Sequence, residues 1–106
     1  MLTKQECFNA GLTHFAKQEF DAAIDFFQQA IDIDENYESA YSALAECYNR
    51  AGRVDEAIPV VQKWIEINKY DPLAHTALSR LYVQKNMIEE AEKEMAISNF
   101  LAQQGS

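Results

Sequence analysis

Apolar residues along this chain fall into short stripes with helical spacing. Tyr41, Leu44, Ala45 and Tyr48 stand at i, i+3, i+4 and i+7, which is one face of a helix. A break follows in "NRAGR", centred on Gly52. Val54, Ala57, Ile58, Val61 and Ile65 then resume the stripe. The pattern predicts a helix, a short turn and a second helix.

The same arrangement recurs at a fixed interval. "EFDAAI", "RVDEAI" and "MIEEAE" bring Ala23, Ala57 and Ala91 to positions 34 residues apart. At that shift Gly11, Ala45 and Ser79 coincide, all small, and so do the rings of His14, Tyr48 and Tyr82. Phe20, Val54 and Ile88 match, as do Phe27, Val61 and Met95, and Ile33, Ile67 and Leu101. Three units, 4–37, 38–71 and 72–105, take up nearly the whole chain as one domain.

Punctuation at the joints agrees. Thr3 with Glu6 is a capping-box pattern that starts the first helix at Lys4. Asp71 before Pro72 places a capping acid ahead of a proline at the first helical position, where a missing N–H costs nothing. Asn36 is expected to cap the third helix. Gly52 supplies positive φ where a helix must stop, with Asn86 and Gln18 in that part in the other units. Pro59, inside the fourth helix, removes at most one early hydrogen bond or bends the first turn.

The spacing resembles the tetratricopeptide repeat, whose signature runs Trp-x2-Leu-Gly-x2-Tyr, Ala-x3-Phe, Pro. The second unit has Tyr41-x2-Leu44-Ala45-x2-Tyr48 and Ala57-x3-Val61. The third has His75-x2-Leu78-Ser79-x2-Tyr82 and Ala91-x3-Met95. The first has Cys7-x2-Ala10-Gly11-x2-His14 and Ala23-x3-Phe27. Glu35 and Lys69 replace the closing proline. Trp64 stands where Ala30 and Ser98 keep a small residue, and it is expected to pack between units against Ala74 and Ala77. The resemblance implies an all-α fold, a right-handed superhelix of three helix-turn-helix units. One helix pair cannot bury its apolar face alone, so neighbours must stack.

Composition changes little in this picture. The chain has 106 residues, 48% hydrophobic and 25% charged, which is globular rather than disordered. Its net charge of −8, with nine Lys and Arg against seventeen acids, leaves no basic footprint for nucleic acid. The same balance disfavours an anionic membrane surface, and no apolar run reaches the ~18 residues of a span. Cys7 and Cys47 lack Cys-x-x-Cys spacing and are expected as buried thiols of a reducing, cytoplasmic compartment.

Candidate chemistry is sparse. His14 and His75 fall on the apolar stripes and are expected as packed rings. No His-Glu-x-x-His motif, zinc spacing or glycine-rich phosphate loop occurs. The acids of "DIDE", 32–35, lack the glycine and spacing of a calcium loop and form a solvated turn. No enzyme, metal or cofactor is expected.

Function is therefore expected on a surface. The resemblance implies a concave face lined by the first helix of each unit. Its free positions are Gln5, Phe8, Leu12 and Phe15 in the first unit. In the second they are Ser39, Ser42, Ala43, Glu46, Asn49 and Arg50. In the third they are Leu73, Thr76, Ala77, Arg80, Val83 and Gln84. A subset of the family holds acidic chaperone tails in a clamp of Lys, Asn, Asn, Lys and Arg. The matching positions carry Phe8, Leu12, Ala43, Leu73 and Ala77, so no clamp is expected.

Phe8, Leu12 and Phe15, at i, i+4 and i+7, stand on a face the repeat's packing does not require, unless Met1 and Leu2 cover it. An exposed patch of this kind marks an interaction site. The expected partner is a peptide or helix with apolar anchors. Glu46, Asn49, Arg50, Leu73, Arg80 and Val83 extend the groove. Ser98 and Asn99 are expected to face outward at the end of the stack, with Ile97 and Phe100 on the other side of the last helix. That apolar pair makes self-association, as a homo-oligomer or part of a longer solenoid, the alternative.

Overall fold

A computed structural model describes residues 1–105. Among them are six helices and no strand: α1 Lys4–Ala16, α2 Phe20–Ile33, α3 Glu38–Arg50, α4 Val54–Ile67, α5 Pro72–Gln84 and α6 Ile88–Gln104. Each helix packs chiefly on its neighbours in chain order, as a stacked solenoid requires. The stack measures 41 × 28 × 19 Å.

The helix starts follow local chemistry. Thr3 and Glu6 close a reciprocal capping box on α1. Asp71 accepts from the Leu73 N–H and caps α5, with Pro72 at the first position. The expected Asn36 cap is absent. Tyr37 is the residue that precedes α3, and its side chain makes no capping bond to the helix. The Asn36 backbone N–H instead donates to the Asp34 carboxylate, which tightens the turn before it can serve a helix. Pro59 lies inside an unbroken α4. The carbonyl it leaves free belongs to Asp55, at an exposed position where water can meet it.

The three tight turns share one geometry. Gln18, Gly52 and Asn86 have φ of 62°, 77° and 60°. In each case the next residue donates its N–H five residues back: Glu19 to His14, Arg53 to Tyr48 and Met87 to Tyr82. This left-handed closure recovers carbonyls that the helix end would leave bare.

The core explains why small residues recur. Ala23 and Ala57 are fully buried and Ala91 nearly so. A Cβ added to Gly11 would lie 2.5 and 2.6 Å from ring carbons of Phe27. Phe27 is fully buried at the heart of the first pair. At the equivalent positions the second unit has Ala45 with Val61, and the third has Ser79 with Met95. In the first two units size is exchanged across the pair, Gly with Phe and Ala with Val; the third, whose Met95 is exposed, does not follow this trade. Ser79 adds a bond to the Ala91 carbonyl at 2.7 Å.

Trp64 is buried in the shared core, in the same cluster as Ala74, with Ala77 packed against it. Its indole N–H donates to Glu38 Oε1 at 3.0 Å, and Asn68 Nδ2 donates to the same oxygen at 3.2 Å. Glu38 thereby ties the start of α3 to the end of α4.

The concave groove

The first helices of the three pairs, α1, α3 and α5, build the walls of a groove of about 1000 Å3. Phe27, Val61 and Trp64 from the second helices reach its floor. Of the residues expected there, Phe8, Leu12, Phe15, Glu46, Asn49, Leu73 and Arg80 all line it. Leu12 and Leu73 present their side chains openly, at 42% and 68% exposure. Ser39, Ser42 and Thr76 supply hydroxyls between them.

Two expectations need correction. Phe8 and Phe15 are not spare. Phe8 is half-buried against Phe27 and Tyr37, with ring centroids 5.8 and 5.5 Å away. Phe15 meets Phe20 edge-on at 6.0 Å, and the Arg50 guanidinium lies 5.6 Å from its ring centre. Both rings therefore show one edge to the groove and use the rest for packing. Met1 and Leu2 are exposed, so they leave α1 uncovered.

Val83 is exposed but lies outside the groove lining. Its register explains this. Phe15 and Asn49 hold the same position, and each is met by the following unit: Phe15 by Arg50, Asn49 by Gln84 through a 2.8 Å bond. Among the described residues no further helix pair follows α6 to supply the equivalent partner for Val83. Arg50, also expected in the groove, is outside its lining as well; it pairs with Glu46, which does line it, at 3.0 Å. Arg80 has no ion-pair partner among the described residues.

At the far end of the stack, Ser98 faces inward rather than outward. It is buried, donates to the Pro72 carbonyl at 2.9 Å and lies 2.6 Å from the Thr76 hydroxyl. Asn99 is exposed as expected. Ile97 and Phe100 are 40% and 60% exposed. They occupy positions at which earlier units carry Gln29 with Asp32 and Lys63 with Glu66.

Titratable groups outside the groove serve packing. Cys7 and Cys47 are free and buried. Burial pushes the Cys47 thiol up to about 11, so it is held as an unreactive thiol. His14 is half-buried rather than fully packed. It stacks on Phe26 at 5.3 Å, with Nδ1 2.7 Å from Glu19. His75 is buried, as expected. Among the described residues no three His, Cys, Asp or Glu side chains gather where a metal could bind. No helix is long and apolar enough to cross a membrane.

Helix pairs stacked in register around a concave face define a helical-repeat solenoid. The sequence pattern of the tetratricopeptide repeat matches residues 14–81, and the chain belongs to that family. Superkiller protein 3 of Saccharomyces cerevisiae is 34% identical over 50 residues, which cover 47% of this chain and 4% of that protein. The crystal structure of MamA superposes with a TM-score of 0.93 at 27% identity, over 97% of this chain and 60% of that one. The chain thus spans less than two thirds of either relative.

Two further structures share the fold at lower identity. One is the first tetratricopeptide domain of Spaghetti (RPAP3), bound to the HSP90 peptide SRMEEVD. It superposes at TM-score 0.87 and 19% identity, over 93% of this chain and 79% of that one. The other is SycD, a type III secretion translocator chaperone of Yersinia enterocolitica. It superposes at 0.87 and 17%, over 92% and 73%. A family fold of this kind is a protein-interaction scaffold.

Proposed function

We propose that this chain is a non-catalytic adaptor that seats a peptide or short helix with apolar anchors in the α1–α3–α5 groove. The observation that carries this reading is the exposure of Leu12 and Leu73 on a groove built by three helices. Apolar side chains left open in a concave site are the usual anchors for a partner's side chains. The hydroxyls and Asn49 offer hydrogen bonds to the ligand backbone, and Arg80, without an ion-pair partner among the described residues, gives it a direction. Positions 8, 12, 43, 73 and 77 are Phe, Leu, Ala, Leu and Ala, which favours apolar anchors over an acidic tail. A cytoplasmic setting fits the two free thiols.

Leu12→Glu with Leu73→Glu tests the reading. Both side chains are exposed, so Tm should stay close to wild type. Affinity for a partner captured from the source cell should fall tenfold or more, about 1.4 kcal/mol. Unchanged affinity by calorimetry would place the site elsewhere. Truncating Phe8 is a poorer test, because its contacts with Phe27 and Tyr37 would bring in lost packing.

Exposed Ile97 and Phe100 favour a second reading, self-association through the outer face of α6. Sedimentation over a wide concentration range decides it. A strict monomer, unaffected by Phe100→Asp, removes it.

A further inference from the structure

At each joint between units a cation reaches back to an acid of the preceding unit. Arg53 Nη1 lies 3.4 Å from Asp21, and Lys85 Nζ lies 2.6 Å from Asp55. The two acids hold one position of the repeat, in the first turn of the second helix. Glu89 holds it in the third unit. It is exposed and has no ion-pair partner among the described residues. Lys17 is its complement. It stands two repeats before Lys85, is exposed, and has no ion-pair partner among the described residues. The described stack therefore has an acid without its cation at one end and a cation without its acid at the other.

We propose that a second copy of this chain stacks its α1–α2 end on the α5–α6 end of the first, with Lys17 of one copy on Glu89 of the other. The contacts that join units within the chain set the register. Arg50 meets Phe15, and one repeat later Gln84 meets Asn49. Carried across two copies, exposed Ala16 meets exposed Val83, an apolar contact where the previous joint has a polar one. Cys47 lies 3.6 Å from the Phe20 carbonyl, and its counterpart Thr13 comes to Ile88 in the same way. The α5–α6 end has apolar surface to cover. Ile88 is 45% exposed where Phe20 and Val54 are half-buried, and Met95 is 37% exposed where Phe27 and Val61 are fully buried. Seating a second copy withdraws these side chains from water.

Charge selects this occupant over a symmetric pair. Two α5–α6 ends brought together would set Glu89 and Glu92 against their own copies, and like charges facing each other across an interface repel. The α1–α2 end brings Lys17 instead. The contact is heterologous, so each added copy presents the same end again and the series stays open.

The joint between copies is weaker than the joints within the chain. Glu6 and Asn9 are exposed at positions where the later units have alanine. Tyr41 and His75 lie 2.8 and 3.0 Å from carbonyls of the preceding unit, and Cys7, at the same position, has no ring to do so. Stacking is therefore reversible and depends on concentration.

Sedimentation equilibrium of the whole chain from ~10 µM to ~1 mM tests the stack. The average mass should rise with concentration and pass that of two copies without a plateau. Lys17→Glu and Glu89→Lys should each raise the dissociation constant about threefold to tenfold, and the double variant should return it to within about twofold of wild type. Val83→Glu should raise it about tenfold or more. Its circular dichroism should stay that of wild type, because the side chain is exposed. Phe100→Asp should leave association unchanged, which separates this joint from pairing through the outer face of α6. A wild-type monomer throughout the range overturns the proposal. So does a plateau at two copies that Phe100→Asp removes, or a double variant that associates no more tightly than the single ones.

Discussion

Phe27→Ala is expected to lower the unfolding free energy by about 3–5 kcal/mol in urea titrations. That is a large share of the ~5–15 kcal/mol that holds an ordinary domain together. Phe27 is fully buried, and its ring lies on the bare backbone of Gly11. A Cβ at 11 would overlap this ring, so any other residue there forces the ring or the backbone to shift. Gly11→Ala alone should therefore cost about 1–3 kcal/mol through overpacking. Gly11→Ala with Phe27→Val would reproduce the Ala45 and Val61 pair of the second unit. The double variant should cost less than the two single changes added together, because the smaller side chain makes room for the new methyl. Strict additivity would mean that the two positions do not share a contact.

This pair also shows what the sequence carried. The 34-residue register marked position 11 as a small column and position 27 as an apolar one, but only the packing shows that Gly11 and Phe27 face each other. The capping box and the left-handed turn residues were more fully legible. They answer local backbone demands, and those demands depend only on nearby residues. Gln18 was the hardest of the three to read, since a glutamine rarely adopts positive φ. Its register with Gly52 revealed it.

Contacts between helices were much less legible. Stripe spacing gives the side of a helix on which Phe8 and Phe15 lie. It does not show that Tyr37, at the end of the same unit, and Arg50, from the next, cover them in part. Val83 failed for the complementary reason, since its neighbour in the pattern is missing among the described residues. The His75–Glu94 pair joins residues 19 apart across two helices, and only packing brings them together. Asn36 looked like a cap by type, but Asp34 captured the backbone first.

Trp64→Ala should cost about 3–5 kcal/mol, comparable to Phe27→Ala, although the position tolerates alanine in the first unit. Ala30 is fully buried there, so the neighbourhood has already closed around a small side chain. At 64 the stack has closed around an indole, and its removal leaves a cavity at the junction of two units. The loss has a polar part as well, since Glu38 gives up the 3.0 Å bond from the indole N–H and keeps only Asn68. Trp64→Phe separates the two. It retains most of the ring volume and removes the donor, so it should cost about 1–3 kcal/mol. A cycle with Glu38→Gln should show coupling, because Glu38 is the acceptor whose partner is removed. Trp64 is the only tryptophan, so unfolding is followed by circular dichroism rather than fluorescence. If Trp64→Ala stayed within about 0.5 kcal/mol of wild type, the residue would be behaving as a surface side chain. Its place in the groove floor would then be for a ligand, not for joining the units.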